Sequence, residues 1–282
     1  MSPAPAPAAA RGDTTVTTRR HRIAGYVLLG ALSYVPLLAS ASGRLVIDTK
    51  QYLYLDPGRL LSRAPYLWSP NIHLGTLTHQ DIGYLFPAGP FYWTLDQLGI
   101  PVWAAQRLWL GSIIFAAGLG VLYLLRTLRI SGPGAVVAAI VYMLSPYFLQ
   151  YSSRISIILL AWSAAPWLIA LTARSLRDGG WRYPAAFAVV VQLAGSVNPP
   201  SLVFVGLAPL LWVVHSIWVS REVSFGHALR TCARIAALTI LASLWWVVGL
   251  AVQGAYGLDV LRYSESIEAV AVAGHSGEVF RG

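Results

Sequence analysis

The chain has 282 residues, of which 56% are hydrophobic and 11% charged, and its formal net charge is +9. Soluble domains carry about 25% charged residues, so this composition excludes an ordinary soluble enzyme and indicates a polytopic membrane protein. The positive charge does not indicate nucleic-acid binding, because the basic residues stand singly between apolar segments, as in cytoplasmic loops. The one cysteine, Cys232, excludes an intrachain disulfide and a cysteine-based metal cluster.

Seven apolar runs follow a Pro/Ala-rich start, residues 1–22, which is predicted to be a disordered cytoplasmic tail. Crossing a bilayer takes about 20 apolar residues, and the runs approach that length. The predicted spans cover residues 23–41, 101–125, 135–149, 155–173, 184–197, 201–219 and 235–252. The third and the fifth are the shortest. The fold class predicted is therefore an all-α bundle of about seven transmembrane helices.

Arginines in the short turns orient this bundle. If the N-terminus is cytoplasmic, nearly all of them fall on the cytoplasmic side, as the positive-inside rule requires. These residues are Arg126, Arg129, Arg174, Arg177, Arg182, Arg221, Arg230 and Arg234. The predicted location is the plasma membrane, with the first loop outside. A cleaved signal peptide ending in A-S-A is the alternative for the first run, and it would leave the other spans oriented the same way.

A long polar interval, about residues 42–100, separates the first two spans. It contains D-P-G-R-L-L-S-R-A-P, which predicts a short juxtamembrane helix with Asp56 as its N-cap and Pro57 in its first turn. This helix is predicted to lie on the outer membrane face, with Leu60 and Leu61 toward lipid. Asp48 stands a few residues beyond the first span, at the water–lipid boundary. A carboxylate there could act as general base on a sugar hydroxyl. The alternatives are a helix cap and an ion pair with Arg44.

Other candidate residues, in this interval and near the ends of later spans, have two interpretations each. Arg107 and Arg154, near span ends, could bind the phosphate of a lipid-linked donor or extend to lipid headgroups. Trp68 and Tyr84 could stack on sugars or belong to an interfacial aromatic belt. The spacing of two histidines, at positions 73 and 79, does not favour zinc, whereas the loop acids leave a calcium site open.

Beyond the seventh span, acidic residues recur at helical spacing. Glu265 and Glu268 form either a solvated helix face or part of a site facing the first loop. Phosphate-binding loops, nucleophile elbows, dinucleotide fingerprints and H-E-x-x-H patterns do not occur, so nucleotide or hydrolase chemistry of the soluble type has no support. The chain ends soon after this segment, and we expect it to be the N-terminal part of a longer protein.

Three segments carry a family resemblance: I-D-T-K with D-P-G-R-L-L-S-R-A-P-Y-L-W, then Y-L-F-P-A-G-P-F-Y-W, then A-Q-R-L-W. They resemble the N-terminal region of actinobacterial α-(1→3)-arabinofuranosyltransferases, large membrane enzymes of the GT-C fold. The resemblance implies a decaprenylphosphoryl-arabinose donor and an arabinan acceptor of arabinogalactan or lipoarabinomannan. It also implies that residues 23–282 are the N-terminal part of a GT-C transmembrane domain.

Site roles follow from this resemblance. Asp48 corresponds to the catalytic base, and Glu265 or Glu268 to a second acid. Charge developing on a lipid-phosphate leaving group would be neutralised by cations at the membrane surface. The available cations are Lys50, Arg59, Arg107, Arg154 and Arg262. Trp68 and Tyr84 are the candidates for acceptor binding.

No cofactor is required by this chemistry, because the sugar arrives activated on its lipid, and the involvement of a divalent cation is left open. The expected partners are the donor, the acceptor and membrane lipid, without nucleic acid. Two other functions remain open: a transporter or flippase component for polyprenyl-linked sugars, and a non-catalytic subunit. A transporter is expected to have charged residues in the middle of its spans, broken helices or inverted repeats.

Overall fold

A computed structural model describes residues 13–46, 48, 51–70, 75–77, 81–152 and 154–257, with side chains from residue 22 onward. Its helices are α1 (Asp13–Ala39), α2 (Tyr52–Leu55), α3 (Pro57–Arg63), α4 (Ala88–Gln97), α5 (Val102–Thr127), α6 (Pro133–Met143), α7 (Pro146–Tyr151), α8 (Ile158–Asp178), α9 (Arg182–Gly195), α10 (Pro199–Val214) and α11 (Phe225–Tyr256). A 3₁₀ turn covers Ile82–Leu85 and a π-helical turn covers His215–Val219.

The strands are two residues long. Strand β1 (Trp68–Ser69) pairs antiparallel with β2 (Thr76–Leu77), so that Trp68 faces Leu77 and Ser69 faces Thr76. This ribbon is too short to form a layer of its own. The predicted all-α class is therefore confirmed.

Six segments of the described chain are long and apolar enough to cross a membrane. They are Arg22–Ala39, Val102–Thr127, Pro133–Tyr151, Ile158–Asp178, Pro199–Val219 and Phe225–Tyr256. Each corresponds to one of the predicted spans. Helix α1 begins at Asp13, so helical backbone extends into the segment that was predicted to be a disordered tail. Residues 1–12 lie outside the described part.

The predicted fifth span differs from the others, so the count of seven is not confirmed. Helix α9 has 14 residues, which corresponds to about 21 Å, against a hydrocarbon thickness of about 30 Å. The next helix begins almost at once, because Asn198 accepts a hydrogen bond from the N–H of Ser201 at 3.4 Å and a proline stands at the first helical position. This N-cap and proline leave α9 no room to lengthen.

The loop between α1 and α5, called the first loop below, packs on the end of this short helix. The hydroxyl of Ser196 lies 2.9 Å from the carbonyl oxygens of both Gly83 and Phe86. A Cβ atom on Gly83 would stand 2.6 Å from the Ser196 carbonyl oxygen. Only glycine allows two backbones to approach this closely. The first loop thus contacts the bundle directly where α9 stops.

Helices α5 and α8 form the centre of the bundle. Half of the α5 span and 67% of the α8 span are buried, against 11% for the α10 and α11 segments. A Cβ atom on Gly120 of α5 would stand 2.6 Å from the Trp167 ring of α8, so the glycine lets the two helices approach closely. The indole N–H of Trp167 donates to the carbonyl of Ala116 at 2.8 Å and joins the same pair of helices.

The predicted juxtamembrane helix is present as α3. The Asp56 carboxylate accepts the backbone N–H of Arg59 at 3.0 Å, and Pro57 occupies the first helical position. The packing differs from the prediction, which placed Leu60 and Leu61 toward lipid. Leu60 is 4% exposed and belongs to the protein core, where α3 packs against α4. The helix therefore covers the first loop's own core.

Candidate functional site

The first two turns of α5 hold the chain segment that leads to Asp48. The side-chain amide of Gln106 forms two hydrogen bonds with the backbone of Val46, as a neighbouring strand would. Its Oε1 accepts the N–H of Val46 at 3.1 Å, and its Nε2 donates to the carbonyl of Val46 at 3.0 Å. Gln106 is 8% exposed, so little water competes for these bonds. Val46 is two residues before Asp48, and the pairing therefore fixes the backbone close to the carboxylate.

Arg107, the next residue on α5, donates hydrogen bonds to the end of α1. Its Nε donates to the carbonyl of Leu37 at 3.0 Å, and its Nη2 donates to that of Ala41 at 3.0 Å. Its Nη1 reaches two further carbonyls, those of Arg44 at 3.0 Å and Trp103 at 2.8 Å. A guanidinium has five N–H donors, and four are used in this way. Arg107 therefore joins the last turn of α1, and the chain just beyond it, to α5.

This geometry disfavours the phosphate-binding role predicted for Arg107. The residue is 7% exposed, and its donors point at backbone carbonyls instead of toward an open surface. The lipid-headgroup alternative is disfavoured for the same reason. Arg107 instead ties the end of α1 to α5.

Asp48 is anchored at the turn that opens α8. Its Oδ1 accepts the backbone N–H of Ser156 at 3.0 Å, and its Oδ2 accepts the Ser156 hydroxyl. The Ser156 hydroxyl in turn accepts the indole N–H of Trp109, on α5, at 3.2 Å. The carboxylate therefore joins the first loop to the beginnings of both central helices. Of the two structural alternatives, the described residues show no Arg44 ion pair, whereas the contact with Ser156 resembles a cap.

Tyrosines surround this carboxylate. Burial raises the pKa of Tyr92 well above its usual value, and the neighbouring charge of Asp48 raises it further. Burial also raises the pKa of Tyr54, although a hydrogen bond from the Asp48 backbone opposes that change. Both phenols therefore stay protonated at neutral pH and cannot serve as bases.

A second acid of the first loop is also bonded. The hydroxyl of Tyr52, on α2, donates to Asp81 at 2.7 Å, beside the 3₁₀ turn. Burial raises the pKa of Tyr52, and the hydrogen bond to Asp81 adds to the effect. This pair ties α2 to the 3₁₀ turn.

The two residues predicted to bind acceptor differ in exposure. Tyr84 is 4% exposed and lies in the core cluster, which disfavours sugar stacking, whereas Trp68 is 58% exposed. A stacking role for Trp68 stays a prediction. Arg59 and Arg154 are exposed, and Arg154 precedes the Ser156 anchor by two residues.

Several predicted site residues lie outside the described part of the chain. These are Lys50, His73, His79, Arg262, Glu265 and Glu268. Within the described part, no three His, Cys, Asp or Glu side chains group closely enough to hold a metal ion. The predicted second acid and the divalent cation therefore stay predictions.

Sequence reasoning missed three members of this site. A lone serine gives no signal, and Ser156 was not assigned a role. Gln106 and Trp109 belong to the quoted segment A-Q-R-L-W, in which only Arg107 had been given a function. The available signal was the adjacent amide and guanidinium at the start of an apolar helix, where buried polar groups need partners.

Comparison with known proteins matches this chain to one family. Residues 32–282 match the model of the N-terminal GT-C domain of α-(1→3)-arabinofuranosyltransferase. The chain belongs to this family. The resemblance inferred from the sequence is thereby confirmed.

Two curated relatives are named α-(1→3)-arabinofuranosyltransferase. The chain is 32% identical to the one from Mycobacterium tuberculosis over 228 residues, 79% of this chain and 16% of the relative. It is 32% identical to the one from Mycolicibacterium smegmatis over 246 residues, 85% of this chain and 17% of the relative. The chain thus spans about a sixth of the length of these relatives.

A solved structure agrees with these relatives. The cryo-EM structure of arabinofuranosyltransferase AftD from Mycobacteria superposes with a TM-score of 0.73 at 30% identity, covering 81% of this chain and 17% of that one. A mutant form of the same protein gives a TM-score of 0.72 at 31% identity. The GT-C architecture expected from the resemblance is therefore confirmed.

Replacing Arg107 by methionine should destabilise the protein. The substitution keeps a long side chain but removes four hydrogen bonds, and a single hydrogen bond to a charged group contributes about 1.5–3 kcal/mol. We expect a loss of at least about 2 kcal/mol, measured as a lower midpoint of thermal unfolding in detergent. The exposed Arg59→Met is the matched control and should change little. An unchanged midpoint in Arg107→Met would contradict the structural role.

Proposed function

We propose that this chain is the N-terminal GT-C part of a membrane glycosyltransferase that moves arabinofuranose from decaprenylphosphoryl-arabinose to a cell-wall arabinan, forming α-(1→3) linkages. The observation that supports this most is membership of the α-(1→3)-arabinofuranosyltransferase family over residues 32–282. The position of Asp48 adds to it, because the carboxylate is held in the first loop at the start of the two central helices.

In the proposed reaction, Asp48 is the general base. The acceptor hydroxyl attacks the anomeric carbon of the arabinofuranose and forms the new C–O bond. The bond between that carbon and the phosphate oxygen breaks, and the lipid phosphate leaves with the electron pair. Asp48 takes the proton of the attacking hydroxyl. The two hydrogen bonds from Ser156 hold this carboxylate in place.

The leaving phosphate needs positive charge nearby, because its own charge increases in the transition state. Arg107 is already committed to carbonyls. Arg154 is the better candidate among the described cations, because it is exposed and lies two residues from the serine that binds Asp48. Arg59 is a second exposed candidate on α3. No nucleotide is required, since the donor is already activated.

The proposed location is the plasma membrane, with the N-terminus in the cytoplasm and the first loop outside. The arginine-rich turns support this orientation. They follow α5 and α8, so they lie at the ends of the two central helices that are opposite to Asp48. A lipid-linked sugar would then meet the carboxylate at the outer surface.

Cysteine labelling tests the orientation. In a Cys232→Ser background, Ser62→Cys on α3 should react with a membrane-impermeant maleimide added to intact cells, because α3 lies in the first loop. Trp181→Cys, which replaces an exposed side chain at the turn before α9, should react only after the membrane is permeabilised. The reverse pattern would overturn the proposed orientation.

Substituting Asp48 by asparagine tests the base. The amide keeps the size of the side chain but does not accept the acceptor proton, and loss of a general base costs about 10²–10⁴-fold in rate. Arabinose transfer by the complete protein should fall by this factor, while expression and the thermal unfolding midpoint are followed in parallel. Retention of more than about a third of the turnover would show that Asp48 is only structural, because a missing base costs far more.

Arg154→Gln tests the phosphate contact. Removing a cation that binds the donor phosphate and stabilises the charge developing on it should raise KM for the lipid-phosphate donor and lower kcat. Loss of one charge-assisted hydrogen bond corresponds to about 10-fold or more in kcat/KM. Arg129→Gln, at the other end of α5, is the control and should leave donor kinetics unchanged. Identical donor kinetics in both variants would remove Arg154 from the site.

A further inference from the structure

Four nearly buried side chains converge on the segment that carries Asp48. The exposed fractions of Gln106, Arg107, Trp109 and Ser156 are between 4% and 8%. Three of them lie on the first two turns of α5, and the fourth precedes α8. Burying polar groups is costly unless each finds a partner. Apolar contacts could hold the loop without that cost, but they are not directional. Hydrogen bonds also fix the orientation of the groups that they join, here the chain around Asp48.

The direction of the hydrogen bonds around Ser156 is fixed by chemistry. The indole N–H of Trp109 can only donate, so the Ser156 oxygen must accept from it. The single hydroxyl hydrogen of Ser156 is then available for Asp48, and the backbone N–H of Ser156 supplies a second donor. Each carboxylate oxygen receives one of these bonds. The position of the carboxylate and the plane of its three heavy atoms are therefore both determined.

We propose that Ser156 is a positioning residue for the Asp48 carboxylate, and that Trp109 orients its hydroxyl. This inference rests on the proposed function, in which Asp48 removes the acceptor proton. Ser156 does not itself touch the reacting atoms. Its two hydrogen bonds hold the carboxylate in one defined orientation. Misplacement of a reacting group by about 1 Å can cost about 10²-fold in rate.

Removing the hydroxyl alone tests this role. Ser156→Ala keeps the backbone donor, and we expect kcat to fall about 10-fold to 100-fold. Because substrate binding is not involved, KM for donor and acceptor should stay within about twofold. Ser156→Thr retains a hydroxyl and should recover most of the rate. Trp109→Phe removes only the indole N–H and should lower kcat in the same direction by a smaller factor.

A matched control is available on α8, the helix that Ser156 precedes. Ser175 of α8 is fully buried, and its hydroxyl donates to the carbonyl of Leu171 at 2.7 Å. Ser175→Ala should leave kcat unchanged, and its thermal unfolding midpoint shows what truncating a buried serine of α8 does to the fold. If Ser156→Ala and Ser175→Ala both lowered kcat and the midpoint together, a general packing effect would replace the proposal.

A double mutant distinguishes a role of Ser156 in orienting Asp48 from a role in holding the fold together. Ser156→Ala introduced into Asp48→Asn should change the residual rate by less than about twofold, because the group that it positions is already lost. A full additional loss in that background would overturn the positioning role. Full activity of Ser156→Ala would overturn it as well. Full activity of Asp48→Asn alone would instead refute the proposed base.

Discussion

The buried guanidinium of Arg107 sets where the first loop begins. It contacts the carbonyls of Leu37 and Ala41 at the end of α1, that of Arg44 just beyond, and that of Trp103 on α5. The negative end of a helix dipole also favours a cation at this position. A single side chain thus binds the end of α1 to the central helix.

An opposite arrangement occurs at the beginning of α8. Asp48 brings a negative charge to the turn that opens the helix, where the exposed N–H groups make the dipole positive. One helix end therefore meets a cation and another meets an anion, each supplied by a distant part of the chain. Gln106, between them, fixes Val46 in the backbone that joins the two contacts. The beginning of the first loop is therefore held at three points: Arg44, Val46 and Asp48.

The sequence predicted the features that depend on local composition. Six spans follow from hydropathy, and α3 follows from an aspartate cap before a proline. The choice of partner for a buried polar group could not be predicted in the same way. Arg107 meets residues 63 to 70 positions away, and Asp48 meets a serine 108 positions away. A guanidinium near a span end can bind the oxygens of a phosphate, a lipid headgroup or a backbone carbonyl. In this structure the packing of α1 on α5 places backbone carbonyls next to Arg107.

The shortness of α9 has a consequence for the first loop. Backbone carbonyls at membrane depth need partners, because lipid offers none, and irregular backbone is tolerated there only inside protein. At the end of α9, the hydroxyl of Ser196 meets the carbonyls of Gly83 and Phe86, and the missing side chain of Gly83 makes room for the Ser196 backbone. A helix of full length would occupy this space. By length alone, α9 looks like an incomplete span. Its early end is what allows the segment G-Y-L-F-P of the first loop to pack against the bundle at Ser196.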